Sequence, residues 1–340
     1  MNLQVDSALS GFLVAQGLME PGEPAVWTPL TGGGSCGLWR VDLLGRSICV
    51  KRALERLEVS ADWHAPLSRN ALEYAWVRFA ARQLPDNVPP PLAHDPHVGL
   101  FAMEFLPPKR YPVWKAQLMA GQVDPATAAA VGRVLGVLHS ASARDAGLAR
   151  EFATDANFDA LRIEPYLLAT ARVHPDLADV LEGVARRTAS TRLAVVHGDV
   201  SPRNILVGPA GPVLLGAECA WYGDPAFDLA FCLHHVLLKC LVAPAARAAL
   251  HNAAMAMTEA YRAHIDWEPA AALNSRAAEL LPALLLARVD GESPLEYLGD
   301  SAERDFVRAV AKALLRTRAL TTGAVVGAWH AALRRRFPGN

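Results

Sequence analysis

Cysteine is scarce and unpaired in this chain. The five, Cys36, Cys49, Cys219, Cys232 and Cys240, form no Cys-x-x-Cys motif. An odd, scattered set argues against a disulfide framework or a cysteine zinc site and predicts a reduced chain. Long apolar runs are lacking as well. The longest, Leu280 to Ala287, contains Pro282 and is far too short to span a bilayer. No basic stretch leading into an apolar core opens the sequence, and Asp6 interrupts the first turns, so no signal peptide is expected. The expectation is a soluble, cytoplasmic protein with no membrane partner. Charge of one sign is also missing: 33 Lys and Arg stand against 34 Asp and Glu, for a net charge of -1 and a pI near 6.8. That balance argues against a general nucleic-acid binder. No internal repeat or low-complexity tail is visible.

What the chain has is apolar mass. Hydrophobic residues make up 52% of 340, which at this length suits two lobes rather than one small core. Val5, Leu9, Phe12 and Leu13 share a helical face that Gly17 would stop. Strands are expected over Ala25–Leu30, Leu38–Leu43 and Arg46–Arg52, with a glycine-rich turn, Thr31 to Gly37, between the first two. Such a turn, with Gly33, Gly34 and Ser35 at its centre, is either a flexible hairpin or a place where backbone N–H groups approach phosphate oxygens. Lys51, two strands later in an apolar setting, favours the second. Residues 56–70 lack periodicity and read as a loop.

Asn70 to Leu84 resumes helical spacing through Leu72, Ala75, Trp76, Phe79 and Ala80. Glu73 near its start is either the ion-pair partner of Lys51 or a solvated first-turn acid. Prolines 85 and 89–91 end this helix. A strand runs to Leu106 before Pro107-Pro108, and the boundary between lobes falls here, at 1–104 and 105–340. Met103, Glu104 and Leu106 would line a hinge whose backbone can meet a purine. Pro125–Ser140, Phe158–Ala171 and Pro175–Arg187 read as helices, with His139 in a structural role. Alanine-rich helices run from Ala243 to the end, broken near 290–294.

Between β-branched and apolar runs lies His197-Gly198-Asp199-Val200-Ser201-Pro202-Arg203-Asn204. Asp199 can orient a hydroxyl, Asn204 five residues on can ligate a metal, and Lys51 can neutralise phosphates, which is the set that phosphoryl transfer needs. This loop resembles the catalytic loop of the aminoglycoside phosphotransferase-like kinases. The resemblance extends over Lys51, Glu73, Gly223-Asp224-Pro225 and Asp228-Leu229-Ala230, roughly residues 25 to 235. It implies an α+β, two-lobed protein-kinase-like fold with a small antiparallel-sheet N-lobe and a mainly helical C-lobe. It further implies ATP and Mg²⁺, Asp199 as catalytic base, Lys51 and Glu73 as phosphate-positioning pair, and the turn over Gly32 to Gly37 covering phosphates. Asn204 is the implied metal ligand, with His197 and Asp228 supporting the loop.

One position departs from the pattern. Where the family has a metal-binding aspartate after the catalytic loop, this chain has Gly216, then Glu218. With strand over Val213–Glu218, Glu218 would share a face with position 216, offset by roughly 6.6 Å, and serve as a substitute ligand. Two readings follow: an ATP-dependent phosphotransferase acting on a small-molecule hydroxyl, slowed by Gly216, or a pseudokinase that binds nucleotide or ligand in a regulatory role. A hydrolase is set aside, because Ser201 has no His and Asp partners in a nucleophile elbow. The acids Asp266, Glu268, Glu279, Asp290, Glu292 and Glu296 read as solvated surface, and the substrate itself is not legible.

Overall fold

The computed structural model describes residues 6–30, 36–53 and 69–337. The glycine-rich turn at Gly33, Gly34 and Ser35 and most of the 56–70 segment lie outside them. The first helix, α1 (Ser7–Ala15), is capped by the Asp6 carboxylate, which accepts the Leu9 N–H at 3.1 Å. Five strands follow: β1 (Val26–Pro29), β2 (Cys36–Leu43), β3 (Arg46–Ala53), β4 (Pro91–Asp95) and β5 (Leu100–Glu104). They form one antiparallel sheet in the order β1-β2-β3-β5-β4. Alternation along β2 and β3 sends Trp39, Val41, Ile48 and Val50 to one face, where Leu9, Phe12 and Leu13 of α1 cover them. The opposite face receives Cys49, Phe101 and Met103. There α2 (Arg69–Gln83) lies between the sheet and the rest of the chain.

The remainder is mainly helical. It comprises α3 (Trp114–Met119), α4 (Pro125–Ser142), α5 (Ala146–Glu151), α6 (Asp155–Phe158), α7 (Ala169–Val173) and α8 (Ala178–Ser190). After the central loop come α9 (Ala226–Val242), α10 (Arg247–Arg262), α11 (Ala270–Asp290), α12 (Ser301–Thr317) and α13 (Thr322–Arg336). Short strands β6 (Ala194–Val196), β7 (Ile205–Gly208), β8 (Gly211–Leu214) and β9 (Trp221–Gly223) pair as β6–β9 and β7–β8. This is the expected α+β architecture. α9 is buried on all sides from Ala226 to Leu241, as the central helix of a bundle is, and it takes Asp228, His234, His235 and Lys239 into the interior with its apolar residues.

Three expectations change. The helix expected over Phe158–Ala171 is α6 and α7 joined by wider i→i+5 turns over Asp159–Leu168. Pro165 lies inside that segment and cannot offer an N–H to the Leu161 carbonyl. The strand expected over Val213–Glu218 ends at Leu214. The six C-terminal acids are not merely solvated. Five join ion pairs, with Glu268 on Arg276, Glu279 on Arg187, Asp290 on Arg308, Glu292 on Arg172 and Glu296 on Lys115, and Asp266 accepts from Ser140.

α4 and α10 pack so closely that a Cβ on Gly132 would lie 2.2 Å from the Met257 carbonyl oxygen. Gly327 in α13 faces open space. Gly132→Ala should therefore destabilise the fold by about 1–3 kcal/mol through overpacking. Gly327→Ala should stabilise it by about 0.5–1 kcal/mol through helix propensity. Urea denaturation of the two variants, compared by midpoint, checks the opposite signs.

Candidate active site

β3 carries Lys51 inward, 6% exposed, and α2 carries Glu73, 3% exposed, to meet it. The Lys51 ammonium pairs with the Glu73 carboxylate and also with Glu218 Oε1 at 2.6 Å. Glu218 Oε2 lies 3.2 Å from Arg69 Nε at the head of α2. Charges thus alternate along a buried row, Glu73, Lys51, Glu218, Arg69. Burial works against the Lys51 charge, but Cys36 and the Glu218 and Glu73 carboxylates raise the ammonium well above its ordinary value. Burial and the nearby Glu218 push the Glu73 carboxyl up, against the pull of Lys51.

The central loop is fixed from beneath. Asp228, in the first turn of α9 and fully buried, accepts the His197 N–H at 2.7 Å and the Gly198 N–H at 2.8 Å. His139 of α4 sits between Asp228 (3.2 Å) and the Tyr261 hydroxyl (2.8 Å), a buttress with no route to solvent. The His197 ring accepts the Asp199 N–H through Nδ1 at 3.1 Å, and its Nε2 meets the Leu215 carbonyl at 3.0 Å. Burial lowers its pKa despite the Asp228 and Asp199 carboxylates, so the ring bridges two strand ends as a neutral group. Gly198 is obligatory: its φ is +77°, and a Cβ there would lie 2.5 Å from the Cys219 carbonyl oxygen.

Asp199 emerges from this loop at the wall of a cavity. Its Oδ2 is 3.2 Å from Arg162 Nη2 and 3.3 Å from Arg203 Nη2. Burial pushes the Asp199 carboxyl up, but the Arg162 and Arg203 guanidiniums win and hold it below the usual carboxylate range. Arg162 also donates to the Gly198 carbonyl at 2.5 Å and to the Leu161 carbonyl at 2.6 Å, the oxygen that Pro165 leaves without an α-helical donor. Sequence reasoning missed Arg162, and missed Arg69 as well. The one signal for Arg162 was a proline inside a helical run.

Asn204 donates its amide to the Asp199 carbonyl at 3.0 Å, leaving its own oxygen without a partner among the described residues. Gly216 lies directly behind, with φ +76°, and a Cβ there would be 3.0 Å from the Asn204 amide. This left-handed residue ends the alternation that would have put Glu218 on the face of position 216. Glu218 turns instead to Lys51 and Arg69, and is not brought beside Asn204 by strand geometry. Among the described residues no cluster of three His, Cys, Asp or Glu side chains is arranged to hold a metal. At the expected hinge, Met103 is nearly buried. The Glu104 and Phe105 N–H groups donate to Pro90 and Ser47, and the Leu106 N–H has no partner among the described residues.

A five-stranded antiparallel sheet with an inward Lys–Glu pair, above a loop carrying Asp and Asn, defines the protein-kinase-like class of phosphotransferases. Residues 39–261 match the model of the phosphotransferase enzyme family APH, and the chain belongs to that family. It is 24% identical over 218 residues to the methylthioribose kinase of Pectobacterium atrosepticum, covering 56% of this chain and 54% of that one. The chain thus spans about half the length of the curated relatives it matches. Among solved structures, it resembles the Plasmodium vivax ethanolamine kinase at TM-score 0.58 and 11% identity, over 94% of this chain and 93% of that one. The aminoglycoside phosphotransferase of Alicyclobacillus acidocaldarius gives TM-score 0.52 and 16% identity, over 99% and 97%. Likeness at these identities speaks to the fold.

The two guanidiniums on Asp199 generate a prediction. Arg162→Gln removes one cation while leaving the carboxyl buried, so the Asp199 pKa should rise. The acid limb of the pH profile of kcat/KM for ADP release should move to higher pH, while the alkaline limb stays in place.

Proposed function

We propose that this chain is an ATP-dependent phosphotransferase that moves the γ-phosphate to a hydroxyl of a small molecule. The observation that carries this reading is Asp199 at the cavity wall. One oxygen is held by Arg162 and Arg203, and Oδ1 has no partner among the described residues. In the reaction the acceptor oxygen bonds to the γ-phosphorus as the bond to the β-bridging oxygen breaks. ADP leaves with that electron pair, and the hydroxyl proton passes to Asp199 Oδ1. A carboxylate with a lowered pKa is a weak base, so its main contribution is to aim the hydroxyl, taking the proton late.

Lys51, positioned by Glu73 and Glu218, would meet the phosphates, and the turn at Gly33, Gly34 and Ser35 would cover them. The open Leu106 N–H, beside Met103 and Glu104, would meet the purine ring where residues 1–104 give way to 105–340. Mg²⁺ keeps several waters and takes the rest of its shell from phosphates, so the Asn204 oxygen fits a sparse set of this kind, which Glu218 would join only by giving up its contacts with Lys51 and Arg69. When bound, the ion would neutralise charge building on the phosphates. The relatives named for methylthioribose favour a small hydroxylated acceptor. Five buried, unpaired thiols suit a reducing cytoplasm.

Gly216 favours one rival, a chain that binds nucleotide without turning it over. Two experiments separate them. Asp199→Asn should lower ADP release about 10²–10⁴-fold while leaving the ATP-induced rise in Tm in place. Gly216→Asp should raise magnesium-dependent turnover at some cost in backbone strain: Asp is among the few residues that visit a left-handed φ, and the Asn204 amide, 3.0 Å from a Cβ at this position, must give by a few tenths of an ångström. A native chain that is already fast, and unchanged by Gly216→Asp, would remove the idea of impairment. ATP stabilisation that ignores magnesium and yields no ADP would favour the pseudokinase.

A further inference from the structure

The cavity at Asp199 has an electrostatic character that phosphoryl transfer alone does not require. Its volume is about 70 Å³, room for roughly five water molecules. Four cationic side chains line it, Lys115, Arg203, Lys239 and Arg288, against two carboxylates, Asp199 and Glu296. Both carboxylates are already answered, Asp199 by Arg162 and Arg203, and Glu296 by Lys115 at 2.9 Å. Lys239 and Arg288 remain.

Lys239 is 1% exposed, and among the described residues its ammonium meets only neutral groups, the Tyr297 hydroxyl at 2.5 Å and the ring of the same tyrosine. Arg288 is 8% exposed. Its Nη1 donates to the Tyr166 hydroxyl and to Ser293 Oγ, both at 2.9 Å, while its Nε has no acceptor among the described residues. Ser201, on the Asp199 loop, also lines the cavity, and its buried Oγ lacks a partner among the described residues. Among the described residues no carboxylate stands within ion-pair distance of Lys239 or Arg288. Two buried cations on the lining of one cavity without an anion are costly to maintain. Burial, then the Lys115 and Arg288 charges, lower the Lys239 ammonium to about 7, against a weaker pull from Glu296.

We propose that the acceptor is itself an anion: a small hydroxylated acid whose carboxylate or phosphate oxygens are held by Lys239 and Arg288 while its hydroxyl faces Asp199. Charge-assisted hydrogen bonds would give the Arg288 guanidinium the anion it lacks among the described residues and restore the full charge of Lys239. The same field opposes polycationic acceptors such as aminoglycosides. The orientation toward Asp199 rests on the phosphotransferase reading above, whereas the anion site rests on the two cations.

The test uses the native chain with matched probes: glycerate against glycerol, gluconate against glucose, with glycerol phosphate as the phosphate arm and kanamycin as the polycation. Each is scored by thermal stabilisation and, with ATP and magnesium, by ADP release. The acids should bind at least about tenfold more tightly than their neutral partners, the factor of one charge-assisted contact, and kanamycin should give no shift. Comparison of the carboxylate and phosphate arms identifies the headgroup. Lys239→Met and Arg288→Gln should each remove the acid preference while the ATP-induced shift persists. If Arg288→Gln does not fold, Lys239→Met and the native panel decide. Equal or tighter binding of the neutral partners or kanamycin overturns the anion site, as does a preference unmoved by Lys239→Met or the absence of stabilisation by any acid at millimolar concentration. Acids that stabilise without ADP release sink the phosphotransferase reading and leave the anion site standing. Release with neutral acceptors alone does the reverse.

Discussion

The ammonium of Lys51 is the point through which the sheet, the helix beside it and the turn after the central loop share one geometry. Its two carboxylate partners come from α2 and from position 218, far apart in sequence, and Arg69 closes the row. Taking four charges out of water returns little net stability, because desolvation nearly cancels attraction. What the row fixes is position. Sliding β3 against α2, or lifting residue 218 away, leaves a buried charge unanswered. The site therefore has a defined shape among the protein's own groups.

The fold class was legible because its signals are local and mutually consistent. Alternating strands stop at prolines, helices stop at glycine or proline, and one largely apolar helix follows the Gly223-Asp224-Pro225 turn. The family was legible from the order of Lys51, Glu73, the Asp199 loop and Asp228 along the chain. The course of the chain after β8 was not. Period-two alternation holds only while a strand continues, and Gly216 adopts a left-handed conformation that no composition rule foresees. Arg162 was hidden for a related reason: its direction is set by i→i+5 turns, which a reading of Phe158–Ala171 as a helix does not foresee. Arg69 escaped because it adjoins a stretch without periodicity. The contact between α4 and α10 was invisible because Gly132 and Gly136 interrupt an apolar stripe without marking what approaches them.

Asp199 and the cavity beside it are governed by one field. The guanidiniums that keep the carboxylate ionised also make the space in front of it positive. A site tuned this way trades basicity for readiness: Asp199 is charged throughout the neutral range, and proton removal waits for the bond to phosphorus to form. His197 and His139 contribute to that arrangement only as rigid spacers, their rings bridging backbone and side-chain groups around the loop.

The wide helical segment Asp159–Leu168 carries a consequence for how such a chain can diverge. Turns of this kind usually arise when one residue enters an α-helix, and the rotation per residue of an ordinary helix is about 100°. Deleting a single residue between Asp159 and Leu161 would shift the frame of everything downstream by that angle and swing an arginine at this point off the carboxylate it touches. A relative lacking that residue could keep every motif of the central loop and still work with a more basic, less restrained aspartate. Length variation in an unremarkable helix, outside any motif, would then separate enzymes with different pH habits.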